Sequence, residues 1–283
     1  MIKVGRIGEI WRYPVKGMAG ERLEDCALGE RGLEGDRIWA LRDEAREEVQ
    51  SCKTRPDLLR CSARCRPGGG GEVEVRFPDG SVLGSDSAEI DERLSALVGR
   101  ASTLQALRPA SDSAFYRRYK PDAHSWLEEL AATFEREPGE PLPALDQLPE
   151  PLVDHVSVPG SFFVVTTLHL LTTASLRHLK GLHPGADWDR RRFRPNVLIE
   201  TEPGLEGLVE QDWIGRRLRI GDVSLECVGT TPRCGAITRA QADFDADTAI
   251  LRTVVREADQ NVGVYGETRL AGRVRVGDEV LLD

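Results

Sequence analysis

The sequence lacks any long apolar run. Its first residues, Met1-Ile2-Lys3-Val4-Gly5-Arg6-Ile7, alternate as a strand does and contain no apolar h-region, and no stretch is long enough to span a bilayer. The expectation is a cytoplasmic protein with no signal peptide and no membrane partner. Excess positive charge is also missing. The net charge is −9 and the pI about 5.3, which argues against a general nucleic-acid binder and reads as solubility. No Gly-Lys-Ser/Thr follows Pro67-Gly68-Gly69-Gly70-Gly71, so that run is a hairpin loop and not a phosphate-binding loop. The five histidines form no triad and show no ligand spacing. His169 alternates with Leu168 and Leu170 and reads as a core or edge residue, while His155, His178 and His183 sit in loop or helix contexts. Six cysteines (26, 52, 61, 65, 227 and 234) suggest no disulfide framework in a chain of this length. Cys52, Cys61 and Cys65 match no zinc pattern, and residues 58–65 read as a strand, so these thiols are taken as structural. No repeat of fixed period is visible.

What is present is an ordinary globular composition, 40% hydrophobic and 30% charged over 283 residues, a length that suits two domains. Residues 1–105 read as short strands broken by Gly, Pro and Asp-Gly. Val73-Glu74-Val75-Arg76-Phe77 alternates and turns into Ser81-Val82-Leu83 as a hairpin. A helix with Ile90, Leu94, Leu97 and Val98 on its buried stripe follows, with Asp86 and Glu89 spaced as a capping box. Residues 106–160 hold half of the 16 prolines and read as a connecting segment, a covalent strap or a lid, with one short helix around 124–134. From 161 onward strands return, among them 162–167, 197–199, 217–220, 223–225 and 274–276, with helices beginning at Ala174 and marked by Ile250, Leu251, Val254, Val255 and Ala258. The fold class expected is mainly β with a few helices (α+β), arranged as two β-barrel-like domains over 1–105 and 161–283.

The most informative residues are Thr231-Pro232-Arg233-Cys234, just after the β-rich Leu225-Glu226-Cys227-Val228. A thiol beside a fixed cation is favoured as thiolate, the form that binds metal or attacks, and Pro232 stiffens the corner that presents it. The alternative is an inert buried thiol. Arg190, Arg191, Arg192 and Arg194 crowd into five positions of an acidic protein. Arginine forks suit phosphates and polar heterocycles. Arg194, next to Pro195 and Asn196, is the strongest candidate, and Arg190 to Arg192 read as a solvated charged face.

Seven segments, in order, carry a family resemblance: Ile10-Trp11-Arg12-Tyr13-Pro14-Val15-Lys16-Gly17, Gly35-Asp36-Arg37-Ile38-Trp39, Leu168-His169-Leu170-Leu171-Thr172-Thr173-Ala174-Ser175-Leu176, Phe193-Arg194-Pro195-Asn196, the Thr231–Cys234 stretch, Asn261-Val262-Gly263-Val264-Tyr265, and Gly272-Arg273-Val274-Arg275-Val276-Gly277-Asp278. The chain resembles the MOSC family, the C-terminal domain type of molybdenum cofactor sulfurases. The variant is the one with an N-terminal β-barrel domain, which includes YcbX-like proteins and mitochondrial amidoxime-reducing components. The resemblance implies a molybdenum cofactor (molybdenum-molybdopterin), with Cys234 as metal ligand and Arg233 beside the metal. It further implies that Lys16 and Arg37 hold the pterin phosphate, that Gly17 allows close backbone approach, and that Arg194, Asn196, Thr231 and Pro232 line the pterin. Two positions depart from the family pattern: Val164 and Gln211 stand where acids are usual, with Glu210 or Asp212 as candidate replacements.

The function implied is a molybdenum-dependent oxidoreductase. It would remove oxygen from a small N-hydroxylated substrate with electrons from an external ferredoxin-like protein or flavoprotein. The alternatives are a persulfide sulfur carrier acting through Cys234, and a non-catalytic cofactor-binding protein.

Overall fold

The computed structural model describes residues 1–68, 70–120, 125–144, 150–241 and 243–283. Its centre is a closed barrel of seven strands: β1 (Ile2–Arg12), β2 (Leu168–Thr172), β3 (Val197–Thr201), β4 (Arg217–Ile220), β5 (Val223–Pro232), β6 (Asn261–Leu270) and β7 (Glu279–Leu282). The hydrogen-bonded order is β3-β2-β6-β5-β4-β7-β1, and β1 returns to β3 to close the ring. Period-two patterning builds these walls: in β4 Arg217 and Arg219 face out while Leu218 and Ile220 are fully buried. Ile7, Ile10, Leu170, Val197, Ile199, Leu225, Val264 and Val280 fill the interior at no measurable exposure. Each such side chain stabilises the fold by roughly 1.5–3 kcal/mol.

All pairings in the ring are antiparallel except β2 with β3. A parallel pair requires a crossover, supplied by the helix Thr173–Leu182, whose N-cap Thr172 accepts from the backbone of Ser175. That helix and Ala249–Glu257 form an outer layer over Leu171, Phe193, Leu198 and Ile237.

Strand pairing crosses the division expected near residue 105. β1 belongs to the ring with the C-terminal strands, and the strand Asp25–Gly29 pairs with Gly272–Arg275. A separate core around Val15, Met18, Leu41, Leu58, Val75 and Ile90 lies under two three-stranded sheets, one centred on Trp39–Asp43 and one on Val73–Arg76.

Three local expectations are corrected. Residues 162–167 form no strand; the strand begins at Leu168, and the preceding apolar residues run as irregular chain beside a cavity. Residues 58–65 are a 3-10 turn, Pro56–Arg60, followed by a shorter strand, Ser62–Cys65. The helix expected to start at a capping box on Asp86 is Ile90–Val98, with Glu89 at its N-cap and no side-chain cap bond, because Asp86 is engaged by Arg66. A capping box forms instead on Ser125 and Glu128, at the start of Trp126–Ala132. His124, included in that expected helix, and Gly69 of the glycine run lie outside the described residues.

Candidate functional site

β-Bulges between Cys227 and Gly229 and between Thr230 and Pro232 bend the end of β5. Bulges re-aim a strand end, and here Thr231 to Cys234 are delivered to the rim of a cavity of about 320 Å³. Lys16, Gly17, Arg37, Arg194, Asn196, Thr231, Pro232, Arg233 and Cys234 all line it, joining residues more than two hundred positions apart. Cys234 is half-buried in extended backbone, at the N-cap of the turn Gly235–Thr238. Thr231 is buried, and its Oγ1 has no hydrogen-bond partner, so a hydroxyl stands ready for a ligand in this cavity.

The cationic side is assembled around the Tyr13 ring, with the guanidinium carbons of Arg194 and Arg37 at 4.3 and 5.1 Å from its centroid. Arg194 also donates to Met18 O at 2.6 Å. Arg37 lies 5.1 Å from the Phe163 ring and pairs with Asp36. Both arginines are held in the left-handed backbone region, at φ 51 and 55°. Residues in that region cluster at functional sites because the surrounding structure must hold them there. Lys16 is buried and donates from Nζ to Phe162 O at 2.7 Å. Burial, reinforced by Lys53, Arg37 and Arg194, lowers its pKa to about 7. Gly17 has φ +87°, and a Cβ there would sit 2.8 Å from the backbone N of Cys52. The close approach proposed for this glycine is therefore to the Ser51-Cys52-Lys53 loop.

Arg233 is buried and braced, donating to Val262 O at 2.9 Å, to Phe193 O at 3.1 Å and to His169 Nε2. Since arginine only donates, His169 Nε2 is the acceptor and the ring is neutral. Burial first, and Arg233 second, hold the imidazole well below its ordinary pKa. His169 is thus a satisfied, buried partner of the cavity arginine. Burial also lowers Arg233 to about 10, which leaves it charged at neutral pH.

Other residues depart from their expected places. Asn196 touches the cavity, but its Oδ1 accepts from the His169 N–H at 3.1 Å and its Nδ2 donates to Trp11 O and Asp36. Its amide is engaged by protein, so it ties the arginine turn to β1 and β2 rather than offering a free edge. Arg192 is not on a solvated face: it is 2% exposed and donates to the carbonyls of Asp187, Ile237, Arg239 and Asp245. Of the two candidate replacement acids, Asp212 is exposed. Glu210 is buried against Thr172 and Ser175, with its carboxyl pushed up by burial, and neither acid lines the cavity. The carboxylates that do line it are Glu48 and Glu129.

Sequence reading missed Cys52 and Lys53, which line the cavity beside Lys16. Burial raises the Cys52 thiol, so it is present as the neutral form. The only sequence signal for this loop was Gly17, whose missing side chain makes room for it. Among the described residues no group of three or more His, Cys, Asp or Glu side chains is arranged to hold a metal. The lining instead offers two thiols, Cys234 half-buried and Cys52 buried, the unpartnered Thr231 hydroxyl and seven cations (Lys16, Arg37, Lys53, Arg118, Arg192, Arg194, Arg233) against the two acids Glu48 and Glu129. That combination fits an anionic ligand which brings most of a soft metal's coordination with it.

A family model described as MOSC N-terminal beta barrel domain matches residues 4–130, and one described as MOSC domain matches residues 162–281. The YUAD protein from Bacillus subtilis is similar over 99% of this chain and 95% of its own, at 10% identity and a TM-score of 0.45. YiiM from Geobacillus stearothermophilus is similar over 41% of this chain and 54% of its own, at 13% identity and a TM-score of 0.31. A comparison with curated proteins finds no match. No helix among the described residues is long and apolar enough to cross a membrane.

Proposed function

The chain belongs to the MOSC family, with a MOSC N-terminal beta barrel domain ahead of a MOSC domain, and from that premise we propose that it is a molybdenum-cofactor-dependent oxidoreductase that removes oxygen from N-hydroxylated substrates. MOSC domains are associated with molybdenum-cofactor-binding sulfurase-like and oxidoreductase-like proteins. The observation that carries the reading is the convergence of all nine expected residues, from Lys16 to Cys234, on one cavity. The Cys234 thiolate would hold the metal. Lys16 and Arg37 would hold the phosphate, and Arg194 and the free Thr231 hydroxyl would meet the pterin. Arg233, fixed by two carbonyls and His169, keeps a positive charge beside the thiol without room to swing away. When bound, the cofactor would supply the two-electron reduction that the protein side chains cannot. Those electrons would come from a separate ferredoxin-like protein or flavoprotein.

The test is molybdenum content by mass spectrometry with pterin fluorescence, on protein from a cofactor-producing host, followed by amidoxime reduction with an artificial donor. Wild type should carry near-stoichiometric metal and turn over. Cys234→Ser should keep its fold and most of its pterin while losing activity. Full activity in that variant would remove Cys234 as the ligand.

Cys52 favours a second reading. A persulfide on Cys234 would transfer its outer sulfur to an acceptor and return to thiol. Cys52, on the same cavity, would attack the inner sulfur after giving up its thiol proton, forming a Cys52–Cys234 disulfide and expelling hydrosulfide, which takes that proton and leaves as hydrogen sulfide. Absence of both metal and pterin in a competent host, with sulfane sulfur on Cys234, would select this reading.

A further inference from the structure

Residues 125–144, part of the segment the sequence presents as a connection between domains, form an arm with two chemically different sides. The polar side grips the chain on both flanks of Cys234. Thr133 O accepts from the Gly235 N–H at 3.0 Å. Arg136 Nη2 donates to Arg233 O at 3.2 Å and to Gln260 Oε1 at 3.0 Å. Glu135 pairs with Arg239, and its carbonyl accepts from Arg252 at 2.7 Å. A Cβ on Gly235 would overlap the Glu135 carboxylate, the movable end of a flexible side chain, so a larger residue there would displace that carboxylate from its seat on the cysteine turn. Glu135, Arg194 and Arg37 are three of the six non-glycine residues with positive φ among the described residues.

The apolar side faces the cavity. Trp126, Leu130, Phe134, Leu152 and Val156 line it. Leu130, Phe134 and Leu152 are 8%, 6% and 2% exposed, yet none is a member of the four packed cores of the described residues. Phe134 is flanked by Arg136 and Lys53, whose charged ends lie 5.3 and 6.0 Å from its ring centroid, and Leu130, Phe134 and Leu152 all line the cavity. A cavity with cations and a thiol on one side and an apolar wall on another suits a ligand that is polar at one end and apolar in its body.

We propose that residues 126–136 are the substrate-selecting wall of the Cys234 cavity, seating an apolar, ring-sized substrate body, and that Arg136 is a positioning residue that keeps this wall in register with Cys234. The catalytic consequence rests on the oxidoreductase reading; the wall and its clamp do not.

The experiment uses the thiol itself. Full-length protein from a host that makes no molybdenum cofactor is treated with N-phenylmaleimide and with N-methylmaleimide, and modification at Cys234 is followed by peptide mass spectrometry. The rate ratio of the two reagents is divided by the same ratio for glutathione. Wild type should favour the phenyl reagent by about tenfold beyond glutathione, the scale on which apolar pockets discriminate. Phe134→Ala and Leu130→Ala should bring the ratio toward that of glutathione. Arg136→Ala should raise both rates and flatten the ratio, and Arg136→Lys, which can still donate to Arg233 O, should restore it. Phe134→Leu keeps the measurement usable should an alanine variant fail to fold, and should give an intermediate ratio. A wild-type ratio equal to that of glutathione, or one unmoved in the Phe134 and Leu130 variants, overturns the proposal. Absence of any N-hydroxy reduction by cofactor-loaded protein, with the maleimide ratio of the cofactor-free protein as expected, would sink the oxidoreductase reading and leave the wall standing.

Discussion

Lys16 is where a single group links the cavity to pH. Its ordinary pKa of 10.5 falls to about 7 because the ammonium is buried and faces Lys53, Arg37 and Arg194. Between those two values the unfolded chain holds a proton that the folded chain has released. Stability from this group therefore rises as pH climbs from about 7 to about 10.5, and the burial penalty is fully present below about 7. An anion placed among these cations reverses the local field and draws the proton back. Pyrophosphate binding near pH 8 should thus be accompanied by proton uptake, with affinity falling by up to about tenfold per pH unit above 7. Calorimetry in buffers of different ionisation enthalpy measures this directly, and Lys16→Met should abolish the buffer dependence. Uptake that persists in that variant would assign the proton to another group. Arg192 gives a residue-scale prediction of the opposite kind. It is buried and bonded to four carbonyls and Asp187. Arg192→Leu strands those acceptors and should cost about 3–5 kcal/mol in urea denaturation, while also removing one of the cations that line the cavity.

At the level of the element, the strands were legible where one face is wet. Arg217–Ile220 and Val73–Arg76 alternate, and both are strands in the structure. Residues 162–167 were not legible, because an apolar run has no period of its own and burial beside a cavity produces the same composition as a sheet interior. The capping box on Asp86 failed for a tertiary reason: Arg66 holds that carboxylate. The nine site residues could be named from motifs, but the left-handed backbone of Arg37 and Arg194, the saturation of Asn196 and the arrival of Cys52 could not. Each of these depends on what a distant segment brings to the same point. Gly17 shows how little of such an arrangement a sequence exposes. It reads as a residue that allows close backbone approach, but that the approaching backbone is Cys52, 2.8 Å from a would-be Cβ at φ +87°, is visible only in the structure. Gly17→Ala should lower stability by about 1–3 kcal/mol. It should also increase hydrogen exchange in residues 50–54 more than in β2 or β6. Uniform exchange across the chain would mean that the loop is held by something other than this contact.

Over the whole molecule, the domain description read from sequence and the hydrogen-bonded units do not share a boundary. Composition changes near 105 and 160 because proline accumulates there, but composition says nothing about which strand completes which sheet. β1 pairs with β7 on one side and with β3 on the other, and without it the ring of seven is an open sheet. An opened barrel exposes two strand edges and the apolar face that Ile7 and Ile10 cover, surface that a separate domain would have to solvate or bury elsewhere. A chain cut to 161–283 should therefore not reach the native state, although a MOSC domain match alone falls within 162–281. It should bind a hydrophobic dye, give no sharp thermal transition and aggregate. Supplying residues 1–33 in front of it restores β1 together with the strand Asp25–Gly29 that pairs with Gly272–Arg275. That addition should return a cooperative transition even though Lys53 and the arm are still missing. A cooperative transition in 161–283 alone would show that the C-terminal strands close without β1, and the site would then be assembled between two independently folding parts rather than on one continuous barrel.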